Sequence, residues 1–236
     1  MGVIWEGIKE AFLLIVRGNP EIWAITWLTL KVSGIATVIS LLFGLPLGTW
    51  LALRKFTGRG CLFSFINTGM AFPPVVIGLW VSIFLWRSGP LGYLGLIYTP
   101  TAMVIAQTII ATPIVIGLTI AALQQLNPYL RVQLLGLGAS RLQVTFAMWR
   151  ESRLLLLAAI MAGFGSVISE VGASMMVGGN IKDQTRVLTT AIVLETSRGR
   201  FTIAIALGFI LLLIAYMVNY ILTSIQQKGT QSKEIQ

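Results

Sequence analysis

Uncharged, apolar stretches dominate the chain and are separated by short polar punctuation. Runs without a charged residue cover 32–53, 60–86, 88–130 and 201–227, and a fifth begins at 154 and meets only Glu170 before Lys182. A bilayer-spanning helix needs about 20 predominantly apolar residues, so these runs predict five transmembrane helices. The first starts near Trp23, because Lys31 can carry its ammonium along its own stem to the interface. The helical part of the third falls at 101–123, and the fourth, 154–169, continues past Glu170. Residues 3–17 alternate differently: Glu6, Lys9 and Glu10 argue against insertion, while Trp5 and Phe12 can anchor an amphipathic helix on the membrane surface. Asn19-Pro20 would end that helix. The pattern divides the chain into an interfacial segment (1–20), a transmembrane domain (21–227) and a polar tail (228–236). The N-terminal stretch does not read as a cleavable signal peptide, since acidic residues interrupt what should be a basic region.

Several spans carry helix-disturbing residues: Gly44-Leu45-Pro46 in the first, Pro73-Pro74 in the second and Pro113 in the third. Membrane helices tolerate these where neighbouring helices or water satisfy the freed backbone groups. They are either kinks that help helices pack or broken backbone lining a polar pathway. Gly163 and Gly165 suit close helix contact.

Composition supports the membrane assignment. The chain has 236 residues, is 56% hydrophobic and 11% charged, against about 25% charged residues in an ordinary soluble domain. Its net charge is +9, but the basic residues sit mainly between apolar runs, where they set topology and meet anionic headgroups. No basic stripe interleaved with aromatics is present for nucleic acid to stack on. With five spans, nine basic residues fall on one side (Arg54, Lys55, Arg59, Arg131, Arg141, Arg150, Arg153, Lys228, Lys233) and eight on the other. The short loop at 54–61 and the long basic loop at 124–153 make the first side the cytoplasmic candidate, with the N-terminus outside. Cys61 is the only cysteine and histidine is absent, which excludes intrachain disulfides, Cys/His zinc sites and histidine acid–base catalysis. No paired carboxylates or nucleophile beside a base suggest an enzyme. No phosphate-cradling G-x-x-x-x-G-K-[ST] loop occurs, so any ATP is bound elsewhere.

The loop 124–153 breaks the membrane pattern. Asn127 can cap a helix with Pro128 in its first turn; Gly136 and Gly138 end or bend it. Ser140 and Gln143 form a capping box that opens a second helix. Tyr129, Leu130, Leu134, Leu135 and Leu137 are too apolar for a solvated loop and predict a protein partner. This segment resembles the cytoplasmic coupling loop of binding-protein-dependent ABC importer permeases, with Gly138-Ala139-Ser140-Arg141 at the glycine centre of that signature. Its flanks depart: Val132-Gln133-Leu134 stands where Glu-Ala-Ala is expected, and Met148-Trp149-Arg150-Glu151 replaces Ile-x-Leu-Pro. Downstream, EVGASMMVGGNI (170–181) and TRVLTTAIVLET (185–196) are similar to permeases of the molybdate, tungstate and sulfate import group, most of all the tungstate-specific ones.

The resemblance implies an all-α membrane protein with the type I, molybdate-permease-like importer fold. It implies a homodimer working with two copies of a cytoplasmic ABC ATPase, which binds the ATP, and an extracytoplasmic oxyanion-binding protein. No cofactor is expected on this chain. The implied cargo is tungstate, with molybdate or sulfate as alternatives and a secondary anion transporter as a more remote one; the internal repeats common in secondary transporters are not visible. On this reading Leu130, Leu134, Leu135, Gly138, Ala139 and Arg141 dock into the ATPase. Ser169, Glu170, Ser174, Gly178, Gly179 and Asn180 belong to the translocation path or gate, and Lys182, Arg186, Arg198 and Arg200 meet the binding protein outside. A carboxylate would repel an anionic cargo, so Glu170 is expected to bond to a neighbouring helix or the dimer mate rather than to substrate.

Overall fold

A computed structural model describes residues 2–16 and 18–234. Arg17 therefore lies outside the described residues. Among those described the chain is all helix: α1 (Gly2–Val16), α2 (Pro20–Leu53), α3 (Arg59–Ala71), α4 (Pro74–Leu85), a 3-10 turn at Gly92–Leu94, α5 (Pro100–Gln124), α6 (Pro128–Gly136), α7 (Arg141–Glu151), α8 (Arg153–Ile168), α9 (Gly172–Gly178), α10 (Leu188–Ser197) and α11 (Phe201–Glu234). Local chemistry sets many starts. Asn19, Thr99, Asn127 and Ser140 each accept a backbone N–H at a helix N-terminus, and proline opens α2, α5 and α6, where its missing N–H costs nothing.

The centre of the structure is α2 packed along α5. Ala36, Ser40, Gly44 and Gly48 recur every fourth residue, so they share one face of α2, and all are buried. A Cβ on Gly44 would sit 2.6 Å from Val115 Cγ1, and one on Gly48 2.7 Å from Thr119 Cβ. Close approach replaces a driving force that lipid does not supply between apolar helices. Pro46 and Pro113 lie inside α2 and α5, which continue through them.

The second and fourth spans differ from their sequence expectation. Three helices (Pro20–Leu53, Pro100–Gln124, Phe201–Gln227) are each long and apolar enough to cross a membrane, and up to five spans result if each bent pair counts as one. Residues 60–86 do not form one straight helix: α3 and α4 meet at 96°. Phe72 and Pro73 both precede a proline, which disfavours helical ψ at two successive residues, and they adopt ψ 132 and 124. The fourth span does not continue through Glu170. It ends at Ile168, and α9 starts afresh at Gly172, while α7 and α8 meet at 75°.

The α3–α4 bend and the α8–α9 break lie side by side, since a Cβ on Gly172 would collide with Val75 at the start of α4. A cluster of Val32, Val81, Met103, Ala106, Ala173 and Val177 joins α2, α4, α5 and α9 around them. The segment 182–200, expected as an outer connection, folds back instead. Leu188, Thr190 and Ala191 of α10 are buried, and Leu188 and Ala191 pack with Ile25, Leu207 and Ile210 of α2 and α11. α1 lies against α11, with Gly7 fitted so closely to Ile205 that a side chain there would clash. Trp5 and Phe12 are exposed.

Candidate functional site

The fold presents two ends and a broken middle. One end carries the α6–α7 elbow. Asn127 Oδ1 accepts the Tyr129 N–H at 2.9 Å; Ser140 N donates to Gln143 Oε1 at 2.7 Å, and Gln143 N to Ser140 Oγ at 3.4 Å. Gly138 between them has φ +84, a conformation that costs an L side chain roughly 1–2 kcal/mol. The predicted cap, glycine elbow and capping box are therefore all in place.

The elbow's apolar residues divide between two directions. Leu134 and Ala139 pack inward on Leu123, Val144 and Met148, and Leu130 is half-buried. Leu134 and Ala139 thereby join the elbow to the bundle. Leu137 is 85% exposed, and Tyr129, Val132, Leu135, Leu142 and Phe146 are exposed with it. Val132, Leu142 and Phe146 are not among the docking residues expected from the sequence, although each is a large apolar residue on α6 or α7. Arg141 is exposed. Arg131 Nη1 donates to Leu53 O at 2.6 Å and Arg59 Nε to Leu51 O at 3.1 Å, so two guanidiniums cap the last turn of α2, and the one from α6 ties the elbow to it.

In the middle, Glu170 sits in the α8–α9 break, 7% exposed. Its Oε1 accepts the backbone N–H of Ala173 at 2.8 Å, three residues on, so the carboxyl caps the short helix α9. Its carbonyl accepts Thr189 Oγ1 at 2.9 Å, which links the break to α10. The side-chain bond is thus local, and the bond to a neighbouring helix runs through the backbone. Ser174 is buried and accepts Gln107 Nε2 from α5 at 3.2 Å. Gln107 Oε1 is buried without a hydrogen-bond partner among the described residues. Gly178 is buried against Met103, and its carbonyl accepts Thr185 Oγ1. Ser174 and Gly178 are thus both buried. Ser169 is exposed with its hydroxyl back-bonded to Gly165 O at 2.8 Å. Gly179 has φ +68 and Asn180 φ +51, where the chain turns past Tyr98; Asn180 reaches Thr190 O at 3.3 Å and accepts from Arg186 Nε at 3.2 Å. Gln107, Thr185 and Thr189 escape a reading of the sequence because their roles appear only when α5 and α10 are brought to the break.

The far end holds a cleft of about 380 Å³ lined by α1, α2, α10 and α11. It gathers the four expected cations with three carboxylates, Glu10, Glu21 and Glu195. Lys182 Nζ lies 3.1 Å and Arg186 Nη1 3.7 Å from Glu21, while Arg198 Nη1 lies 3.4 Å and Arg200 Nε 2.6 Å from Glu195. The four basic residues expected to meet the binding protein are therefore paired within this chain, with Glu21 and Glu195 as their partners. No group of His, Cys, Asp and Glu among the described residues could hold a metal ion.

The chain is thus a helical bundle of broken and unbroken candidate spans with a two-helix elbow at one end, and its sequence family says what class of protein this is. Residues 44–230 match the family described as "Binding-protein-dependent transport system inner membrane component", and the chain belongs to it. Among individual proteins, it is 39% identical to the "Tungstate uptake system permease protein TupB" of Peptoclostridium acidaminophilum, over 97% of this chain and 100% of that one. It is 29% identical to the "Molybdenum transport system permease protein ModB" of Escherichia coli K12, over 84% of this chain and 93% of that one. The fold is similar to a solved bacterial alginate ABC transporter in complex with its pentasaccharide-bound periplasmic protein, with TM-score 0.76 and 17% identity over 94% of this chain and 86% of that one.

Proposed function

We propose that this chain is the membrane permease of an ATP-driven importer whose cargo is tungstate. The observation that carries the substrate is the 39% identity to a tungstate uptake permease along essentially the whole length of both chains, against 29% for the molybdenum counterpart. The physical requirement is consistent with it. Tungstate is a dianion, and an inside-negative potential of about 100 mV opposes its entry by roughly 4.6 kcal/mol. A passive pore would drain it outward, so work must come from a partner.

The elbow end is the cytoplasmic end in this proposal. There the exposed Leu137 and Leu135 beside Gly138 enter a groove on a cytoplasmic ABC ATPase, two copies of which serve a homodimer of the permease and hold the ATP, while Arg141 lines the cleft between α2 and the elbow. Leu130, Leu134 and Ala139 keep the elbow stiff, so ATPase movement is passed to α2, α5 and α8. The break at Ser169 and Glu170, with Ser174, Gly178, Gly179 and Asn180, is the gate. Closed, it buries Ser174 and Gly178; opened, it offers hydroxyls and backbone N–H groups that pass an anion without trapping it. Lys182, Arg186, Arg198 and Arg200 at the far end meet the extracytoplasmic binding protein, and their pairing with Glu21 and Glu195 leaves charges of both signs to set register.

Reconstitution in proteoliposomes with an ATPase and a binding protein tests this. Tungstate uptake should require ATP and both partners, and should be inhibited weakly by molybdate or sulfate. Uptake that persists without ATP and follows a proton or sodium gradient would overturn the importer; equal or greater preference for molybdate would overturn the cargo.

A further inference from the structure

The two clefts at opposite ends of the molecule both collect cations, and only one neutralises them. At the far end each cation faces Glu21 or Glu195. At the elbow end a larger cleft, about 810 Å³, opens between the end of α2 and the elbow, and Arg54, Lys55, Arg131 and Arg141 line it with no carboxylate among the described residues. Arg131 uses one nitrogen on Leu53 O. Arg54, Lys55 and Arg141 are exposed and make no side-chain hydrogen bond or ion pair among the described residues. Four cations gathered in one concavity repel one another unless an anion joins them.

The remaining lining says what kind of anion. Trp50, Leu142, Phe146 and Trp149 form apolar walls. Trp50 lies 5.1 Å from Phe56, and Phe146 meets Trp149 edge-on at 5.7 Å. Aromatic rings of this sort collect at the level where a membrane meets water, and α2 leaves its span at this level, at Leu53. A small hydrated oxyanion would gain nothing from such walls. A phosphodiester carrying glycerol and acyl chains uses the cations and the walls together, as basic pockets between cytoplasmic helix ends do for acidic lipids.

We propose that this cleft holds the headgroup of an anionic phospholipid of the cytoplasmic leaflet. Arg54, Lys55 and Arg141 surround its phosphate, and Trp50, Leu142 and Phe146 lie against its glycerol and upper chain. Arg54 and Lys55 follow α2 whereas Arg141 and Leu142 open α7, so one lipid ties the elbow to the span it drives. The leaflet rests on the elbow end being cytoplasmic; the binding itself does not.

The test uses the full-length permease, delipidated in neutral detergent and titrated with phosphatidylglycerol or phosphatidylcholine under native mass spectrometry. Phosphatidylglycerol should bind more tightly than phosphatidylcholine. The Arg54→Gln/Lys55→Gln variant should lose roughly 30-fold of that affinity, the effect of two cations near a headgroup. A Lys9→Gln/Arg87→Gln variant removes the same charge from exposed positions elsewhere and should keep it. Equal loss in both variants, or no preference between the lipids, overturns the proposal. So does displacement of phosphatidylglycerol by millimolar tungstate or inorganic phosphate, which would make the cleft a site for free oxyanion. Cys61, exposed and two residues after Arg59 at this same end, reports the sidedness separately. Its labelling by an impermeant maleimide in intact cells would sink the cytoplasmic assignment and leave the detergent result standing.

Discussion

Replacing Glu170 by alanine and by glutamine separates a cap from a charge. The carboxyl oxygen accepts the Ala173 N–H at 2.8 Å, and Ala173 is 0% exposed, so water cannot take over that bond. Leaving a buried donor unpaired costs about 1–3 kcal/mol. The alanine also removes one buried methylene, at about 0.8 kcal/mol. Glu170→Ala is therefore expected to destabilise by about 3 kcal/mol, concentrated in the seven-residue α9. Glu170→Gln keeps the methylenes and an acceptor oxygen in the same place and should cost about 1 kcal/mol or less. The assay is unfolding in sodium dodecyl sulfate followed by tryptophan fluorescence, with hydrogen exchange of the peptide covering 170–178 as the local readout. Glutamine should retain most of the exchange protection and alanine should lose it. Equal losses in the two variants would refute the cap and return the carboxylate's charge as the essential property; no loss in either would remove Glu170 from the break altogether.

Other consequences are equally direct. Leu137→Glu places a charge on the most exposed apolar residue of the elbow and should change stability by no more than about 0.5 kcal/mol. It should nevertheless abolish copurification of the ATPase, and retained copurification would exclude Leu137 from the contact. Gly44→Val forces a side chain where a Cβ alone sits 2.6 Å from Val115, with an expected cost of about 1–3 kcal/mol or more. Gly34→Val, whose Cβ meets nothing within 4 Å, is the matched control, and equal unfolding midpoints would deny the close α2–α5 contact. Glu195→Gln releases Arg198 and Arg200 and leaves the far-end cleft with four cations against two carboxylates. Tungstate retention by the isolated permease, read by equilibrium dialysis, should rise and ATP-driven turnover should fall; unchanged retention would separate this cleft from the anion's route.

What was legible in the sequence was what neighbours in the chain decide. Asn127 with Pro128, Gly138, and Ser140 with Gln143 each act within three or four residues, so the elbow could be drawn without a structure. The break at Phe72-Pro73-Pro74 was legible in principle, because two successive residues precede proline, whereas Pro46 and Pro113 disturb one residue each and their helices run on. The inward or outward facing of Leu134 and Leu137 was not legible, since it depends on where Leu123 and Met148 arrive. Nor were the partners of the cations: Lys182 and Glu21 are 161 residues apart, and Gln107 and Ser174 are 67 apart. Charge pattern alone cannot distinguish a paired cation from a free one.

That distinction carries the functional sense of the two ends. A cation bound to a carboxylate can still attract an anion over a distance but holds it weakly on arrival, because every new bond to the anion must displace one already made. This suits an entrance, where tight capture would add to the roughly 4.6 kcal/mol that the membrane potential already sets against a dianion. At the elbow end the cations stand free, and a transported anion leaving past them would be held back at the point of release. A resident lipid phosphate resolves the conflict. Its single negative charge offsets part of the charge of Arg54, Lys55 and Arg141, occupies the place a departing cargo anion would take, and fastens the elbow to α2 at the same time. The asymmetry between a carboxylate-paired far end and a lipid-paired elbow end is then a single solution to moving an anion one way through a strongly basic protein.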